Sequence, residues 1–127
     1  MMLGAINFLT DPDSPEAHKL RENYVFKVVP MLNPDGVING NYRCSLAGCD
    51  LNRRWKHPSQ ILHPTIYATK KMIKEQHQER GVVMICDMHG HSRKQNVFMY
   101  GCDGKIDQER YRILPYILSK VSPIFDF

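Results

Sequence analysis

No apolar run in this 127-residue chain approaches the ~20 residues that a membrane-crossing helix needs, so no membrane partner is expected. Cysteine is sparse. Cys44, Cys49, Cys86 and Cys102 are too few to staple a disulfide scaffold of this length, and they read as reduced cytosolic thiols. The opening MMLGAINFLT lacks a basic n-region and a cleavage site, so export is not expected. Neither charge dominates: 17 Lys plus Arg stand against 13 Asp plus Glu, a net +4 that suits an acidic partner without demanding one. Walker-type loops, G-x-S-x-G elbows and H-E-x-x-H helices are all missing. A basic stripe interleaved with aromatics is missing too, which argues against nucleic-acid binding. Repeats and low-complexity tracts are absent. What remains is ordinary globular composition, 43% hydrophobic and 24% charged, which excludes disorder, collagen and coiled coil. One domain over residues 1–127 is expected.

Along the chain, residues 1–9 read as the back half of a helix, broken by Thr10-Asp-Pro-Asp. Ser14 followed by Pro15 is an N-cap with proline at the first helical position, predicting a helix to about Glu22. The β-branched and aromatic run at residues 24–29 predicts a buried strand. Asn33-Pro34-Asp35-Gly36 predicts a turn, and residues 37–58 show no sustained period. His63-Pro64-Thr65 opens a helix with Ile66, Thr69, Met72 and Ile73 as its buried stripe and Gly81 as its stop. Residues 82–88 form the strongest strand candidate, and residues 96–100 a shorter one. Gly101-Cys-Asp-Gly104 predicts a turn into a last helix over residues 107–118, which Pro115 bends or ends. Helices alternating with buried strands predict an α/β fold with a mixed, mostly parallel sheet flanked by helices. Ligands in such sheets gather at loops leaving the strands' carboxyl ends.

Two of those loops hold the chemistry. His89 follows the apolar run directly, where a rigid strand tip would present an imidazole as a metal ligand or general base. Asp87 shares its strand face and could orient the ring, and His91 is a neighbouring candidate. A solvated surface histidine is the ordinary alternative. In the second loop, Arg53 offers paired donors that match a carboxylate, with the amide of Asn52 beside it. Arg43 adds a positive charge near the reacting carbonyl. The ordinary alternative is surface ion pairing among Asp50, Arg53 and Arg54, contributing roughly 0–1 kcal/mol each. Cys44 and Cys49 with His57 match no compact zinc module, and His18, His57, His63 and His77 are expected to be solvated.

The segments VVPMLNPDGVINGNYRCSLAGCDLNRRW and CDMHGHSRKQNVFMYGC resemble the cytosolic carboxypeptidase subfamily of zinc metallocarboxypeptidases. Alone, NPDG or DLNR is a weak motif; their order and spacing together are specific, and the likeness runs from about Met1 to about Cys102. The resemblance implies a partial metallocarboxypeptidase-like fold, with zinc as cofactor and His89, first of the HGH triplet, as a metal ligand. It places the substrate-carboxylate clamp on Asn52 and Arg53, and the arginine that binds substrate and steadies the oxyanion on Arg43. The implied reaction removes C-terminal or branch glutamates from proteins with acidic tails such as polyglutamylated tubulin, in the cytosol, on microtubules or in the nucleus.

No histidine here has a glutamate three places on, so the family's His-x-x-Glu element is not in this sequence. Its general-base glutamate falls beyond the matching stretch. The expectation is therefore an internal piece of a catalytic domain, inactive by itself. Two other readings remain: a metal-free module that binds acidic tails, and a metal-dependent hydrolase of acylated amino acids on the same architecture.

Overall fold

The computed structural model describes residues 1–102 and 108–127. They form two compact units, Met1–Met88 and His89–Phe127.

In the first unit, α1 (Met2–Thr10) and α2 (Pro15–Asn23) pack on one another. Ser14 caps α2 as its sequence predicts, its side chain accepting from the Ala17 N–H at 3.2 Å. From α2, Arg21 donates to the carbonyls of Leu9 and Asp11 at 2.6 and 3.1 Å. Those carbonyls belong to the end of α1, where helical partners run out and a cation also suits the dipole. Ala17 is fully buried in the process.

The Asn33-Pro-Asp-Gly segment is not a simple turn: Pro34–Ile38 is a short helix, α3. Asn33 is its N-cap and Pro34 its first residue, the same start signal that opens α2. Next comes a single 3-10 turn, Leu51–Arg53, with Leu51 buried. The longest helix, α4 (Pro64–Arg80), starts and stops where its sequence predicts, and Gly81 takes φ +78° at its end. Ile66 is 1% exposed, while Thr69, Met72 and Ile73 on the same stripe are half-buried.

The expected sheet is where structure and sequence differ. Among the described residues, β pairing consists of two isolated bridges, Cys44 with Asp50 and Val97 with Phe125. Residues 24–29 and 82–88 carry neither helix nor turn and join no ladder. Val25, Val83 and Ile85 are 58%, 83% and 63% exposed. Their apolar character reflects what such side chains prefer around them; a ladder needs in addition a neighbouring strand at ~4.8 Å.

In the second unit, Val97 N donates to the Ile124 carbonyl at 3.1 Å and Asp126 N to the Val97 carbonyl at 2.7 Å. The expected strand at residues 96–100 is thus reduced to one parallel bridge. Helix α5 (Gln108–Val121) runs through Pro115 rather than ending there. The expected helix start at Asp107 and part of the expected turn at residues 101–104 lie outside the described residues.

Candidate functional site

The loop after α3 is organised around one carbonyl. Asn33 Oδ1 accepts from the Gly36 N–H at 3.1 Å, closing the first turn of α3, and its Nδ2 donates to the Cys44 carbonyl at 3.3 Å. Asn41 Nδ2 donates to the same carbonyl at 3.1 Å, so both lone pairs of that oxygen are used. Gly36 is buried between these groups. A Cβ there would sit 2.6 Å from the Cys44 oxygen, which only glycine avoids. Upstream, the Thr65 hydroxyl of α4 donates to the Leu32 carbonyl at 2.7 Å. A helix of 17 residues thereby fixes the point at which the loop departs.

From Cys44 the chain forms a tight antiparallel return. Cys44 bridges Asp50, Ser45 N donates to the Cys49 carbonyl at 3.1 Å, and Gly48 N to the Ser45 carbonyl at 2.9 Å. Gly48 has φ +68°, the left-handed conformation that glycine takes without penalty. This return brings Arg43 back beside Asp50. One carboxylate oxygen of Asp50 accepts from the Asn52 N–H at 2.9 Å and caps the 3-10 turn. The other lies 3.8 Å from the Arg43 guanidinium, which also stands 5.3 Å from the centre of the Tyr42 ring. Asp50 therefore ties Arg43 to the turn that carries Asn52 and Arg53.

Three of the four sequence-predicted site residues are thus gathered on one local element. Asn52 and Arg53 are exposed, and among the described residues no hydrogen bond or ion pair engages their side chains. The Arg43 side chain is 54% exposed. An exposed ion pair of this kind adds only ~0–1 kcal/mol to stability; its consequence is the direction it gives the guanidinium. The ordinary alternative is corrected in one respect, since Asp50 pairs with Arg43 rather than with Arg53 or Arg54.

His89, the predicted metal ligand, is exposed and opens the second unit. His91 is differently placed. Its Nδ1 accepts from the N–H groups of Arg93 and Lys94 at 3.2 and 2.9 Å, and its ring meets Phe98 edge-on. With Nδ1 accepting, the neutral ring carries its proton on Nε2, so neither nitrogen offers a metal a bare lone pair. His63 corrects another expectation. It is 8% exposed, with Nδ1 accepting from the Ser59 N–H at 2.9 Å, and so braces the entry to α4. All four cysteines are free thiols.

A catalytic zinc takes three protein ligands. Among the described residues no group of three or more His, Cys, Asp or Glu comes together to hold a metal. The donors among the described residues do not by themselves fit such a centre.

Asp50, Asn33, Gly36 and Thr65 support these candidates without being marked by any motif, except that Asn33 followed by Pro34 has the form of an N-cap followed by a first helical residue.

Comparison with known proteins agrees with the motifs. The profile of the zinc carboxypeptidase family matches residues 1–121. Human cytosolic carboxypeptidase 1 is 48% identical over 98% of this chain and 11% of its own length. Cytosolic carboxypeptidase 2 of Xenopus tropicalis is 53% identical over 97% of this chain and 13% of its own. The chain spans about an eighth or less of these relatives. A metallo-carboxypeptidase crystal structure from Burkholderia cenocepacia superposes with a TM-score of 0.75 at 27% identity, covering 97% of this chain and 34% of that one. By sequence profile and by the path of its backbone, this chain belongs to the zinc carboxypeptidase family.

Proposed function

We propose that this chain is the carboxylate-recognising part of a cytosolic, zinc-dependent carboxypeptidase that removes C-terminal or branch glutamates from acidic protein tails, polyglutamylated tubulin among them. The observation that carries this reading is the gathering of Arg43, Asn52 and Arg53 on one hydrogen-bonded return, two of them with unengaged side chains. A peptide's terminal carboxylate is costly to remove from water without a cation and donors to receive it. Arg53 supplies a planar pair of donors and Asn52 an amide alongside, a geometry that selects the chain end over internal peptide bonds. Arg43, held by Asp50, is assigned to the carbonyl oxygen of the scissile bond, where a fixed positive charge is worth more as negative charge develops. His89 is assigned as one ligand of the family's zinc. Support for the cytosolic setting and for zinc comes from the relatives' names and the family profile.

The test replaces the matching segment of Xenopus tropicalis cytosolic carboxypeptidase 2 with this chain and measures glutamate release from a polyglutamylated peptide. Release that a chelator abolishes and that Arg53→Ala lowers by at least tenfold is expected, since losing one charge-assisted contact costs ~1.5–3 kcal/mol. The 127 residues by themselves are expected to release none. Chelator-insensitive release by the chimera would refute the reading. A metal-free module that binds acidic tails is the second reading, favoured by the same unengaged donors. Zinc-independent, salt-sensitive peptide binding with no turnover in the chimera would select it.

A further inference from the structure

We propose that the outward face of α4, together with the loop at residues 56–59, is a docking groove for an acidic polypeptide segment, separate from the Asn52–Arg53 clamp. The groove is open to solvent, with a volume of about 540 Å³, and is lined by Lys56, His57, Tyr67, Lys70, Lys71 and Lys74, with Glu75 among the rest. On the helix Tyr67, Lys71, Lys74 and Glu75 lie away from the stripe of Ile66, Thr69, Met72 and Ile73, with Lys70 at its border, so the exposed face is the charged one.

The groove has a built floor. Lys70 Nζ donates to the carbonyls of Trp55 and Lys56 at 2.6 and 2.8 Å, which fastens the loop to the helix. Among the described residues no carboxylate pairs with Lys56 or Lys74. Lys71 pairs with Glu75 at 3.8 Å, both side chains more than half exposed. That pair has lysine on the N-terminal side, the weaker orientation on a helix, so an incoming carboxylate displaces it readily. Four lysines against one glutamate make the groove strongly basic, whereas the chain as a whole is only mildly so.

The length of the groove suits an extended peptide. From Tyr67 to Gln78 the helix advances roughly 16 Å, which spans about five residues of extended chain at ~3.3 Å each. A single aromatic lines it, too few for the stacked bases of a single-stranded nucleic acid. The preference for a polypeptide over other polyanions also rests on the function proposed above; the groove and its charge do not.

The experiment measures fluorescence anisotropy of a labelled glutamate peptide, about ten residues long and therefore longer than the groove, on the complete chain. The peptide is amidated at its C-terminus, so the clamp meets no chain end; its side-chain carboxylates remain as clamp ligands, and the groove variants, which leave Asn52 and Arg53 in place, separate the two sites. Combined Lys56→Gln, Lys71→Gln and Lys74→Gln are expected to weaken binding roughly tenfold, the sum of three exposed charge contacts. Glu75→Gln is expected to tighten it by about twofold on the same scale. Raising salt from about 50 to 200 mM should weaken the wild-type complex markedly, as screened surface charges require. Lys19→Gln, on α2, serves as the charge control, and helix content by circular dichroism shows that each variant folds. Three results would overturn the proposal: wild-type affinity in the triple variant, an equal loss in Lys19→Gln, or tighter binding of an oligothymidylate of equal charge.

Discussion

Replacing Gly36 with alanine tests the physical basis of the site. The new methyl group would lie 2.6 Å from the Cys44 oxygen and 2.7 Å from Asn33 Cγ, both well inside van der Waals contact. One of two movements must follow. If Asn33 rotates away, α3 loses its cap from the Gly36 N–H, and Cys44 loses one of its two amide donors. Losing an N-cap costs ~0.5–2 kcal/mol. If instead the Cys44 backbone retreats, the bridge to Asp50 opens and Arg43 leaves its partner at 3.8 Å. Overpacking of this kind costs ~1–3 kcal/mol. Either way the expected destabilisation is about 2 kcal/mol, roughly a thirty-fold change in the folding equilibrium. Urea titration followed by circular dichroism measures it, with an unchanged slope confirming that the denatured state is not the cause. Gly4→Ala is the matched control. It is the same chemical change inside α1 with no atom within 4 Å, and it should stabilise by ~0.5–1 kcal/mol. A short peptide with a free C-terminus should also bind the Gly36→Ala chain more weakly than wild type. Stability within about 0.5 kcal/mol of wild type, with peptide affinity unchanged, would refute the account of how Arg43 is positioned.

Two further substitutions probe the supports. Thr65→Val removes the hydroxyl that donates to the Leu32 carbonyl at 2.7 Å while keeping the side chain's shape. The expected loss is ~1 kcal/mol, seen as a lower thermal midpoint, and an unchanged midpoint would show that α4 does not anchor the loop. Pro115→Ala restores an N–H inside α5 and should stabilise that helix by up to ~3 kcal/mol. Slower hydrogen exchange across residues 108–121 is the readout, and unaltered exchange would mean that α5 is held by its packing rather than limited by proline.

Helix ends were legible in the sequence because they depend on neighbours a few residues away. Ser14 with Pro15, and His63-Pro64 with Gly81, located α2 and α4 nearly residue for residue. The same rule, applied to Asn33-Pro34, would have found α3. Pro115 predicts a bend or a stop, and the stop does not occur: α5 continues through it to Val121, since proline removes one hydrogen bond and leaves the others in place. The burial of His63 is not legible in the sequence because its role depends on a backbone N–H that the return at Ser59 brings within reach. Motif and chemistry make Arg43, Asn52 and Arg53 candidates; the link between them is not legible there. Asp50 lies nearer in sequence to Arg53 and Arg54, and antiparallel pairing at Cys44 is what turned it toward Arg43.

The sequence by itself determined the family and the ends of α2 and α4, and it supplied in Arg43, Asn52 and Arg53 the residue types proposed to receive a carboxylate, because motif, cap and donor chemistry are local properties. Tertiary structure alone decided which groups meet. It set two asparagines on one carbonyl, one aspartate between a guanidinium and a 3-10 turn, and a lysine across two loop carbonyls. It also decided that residues 24–29 and 82–88 form no ladder among the described residues. An apolar run records how a side chain prefers to be surrounded, whereas a sheet requires another backbone lying alongside, and no periodicity within one segment encodes its neighbour.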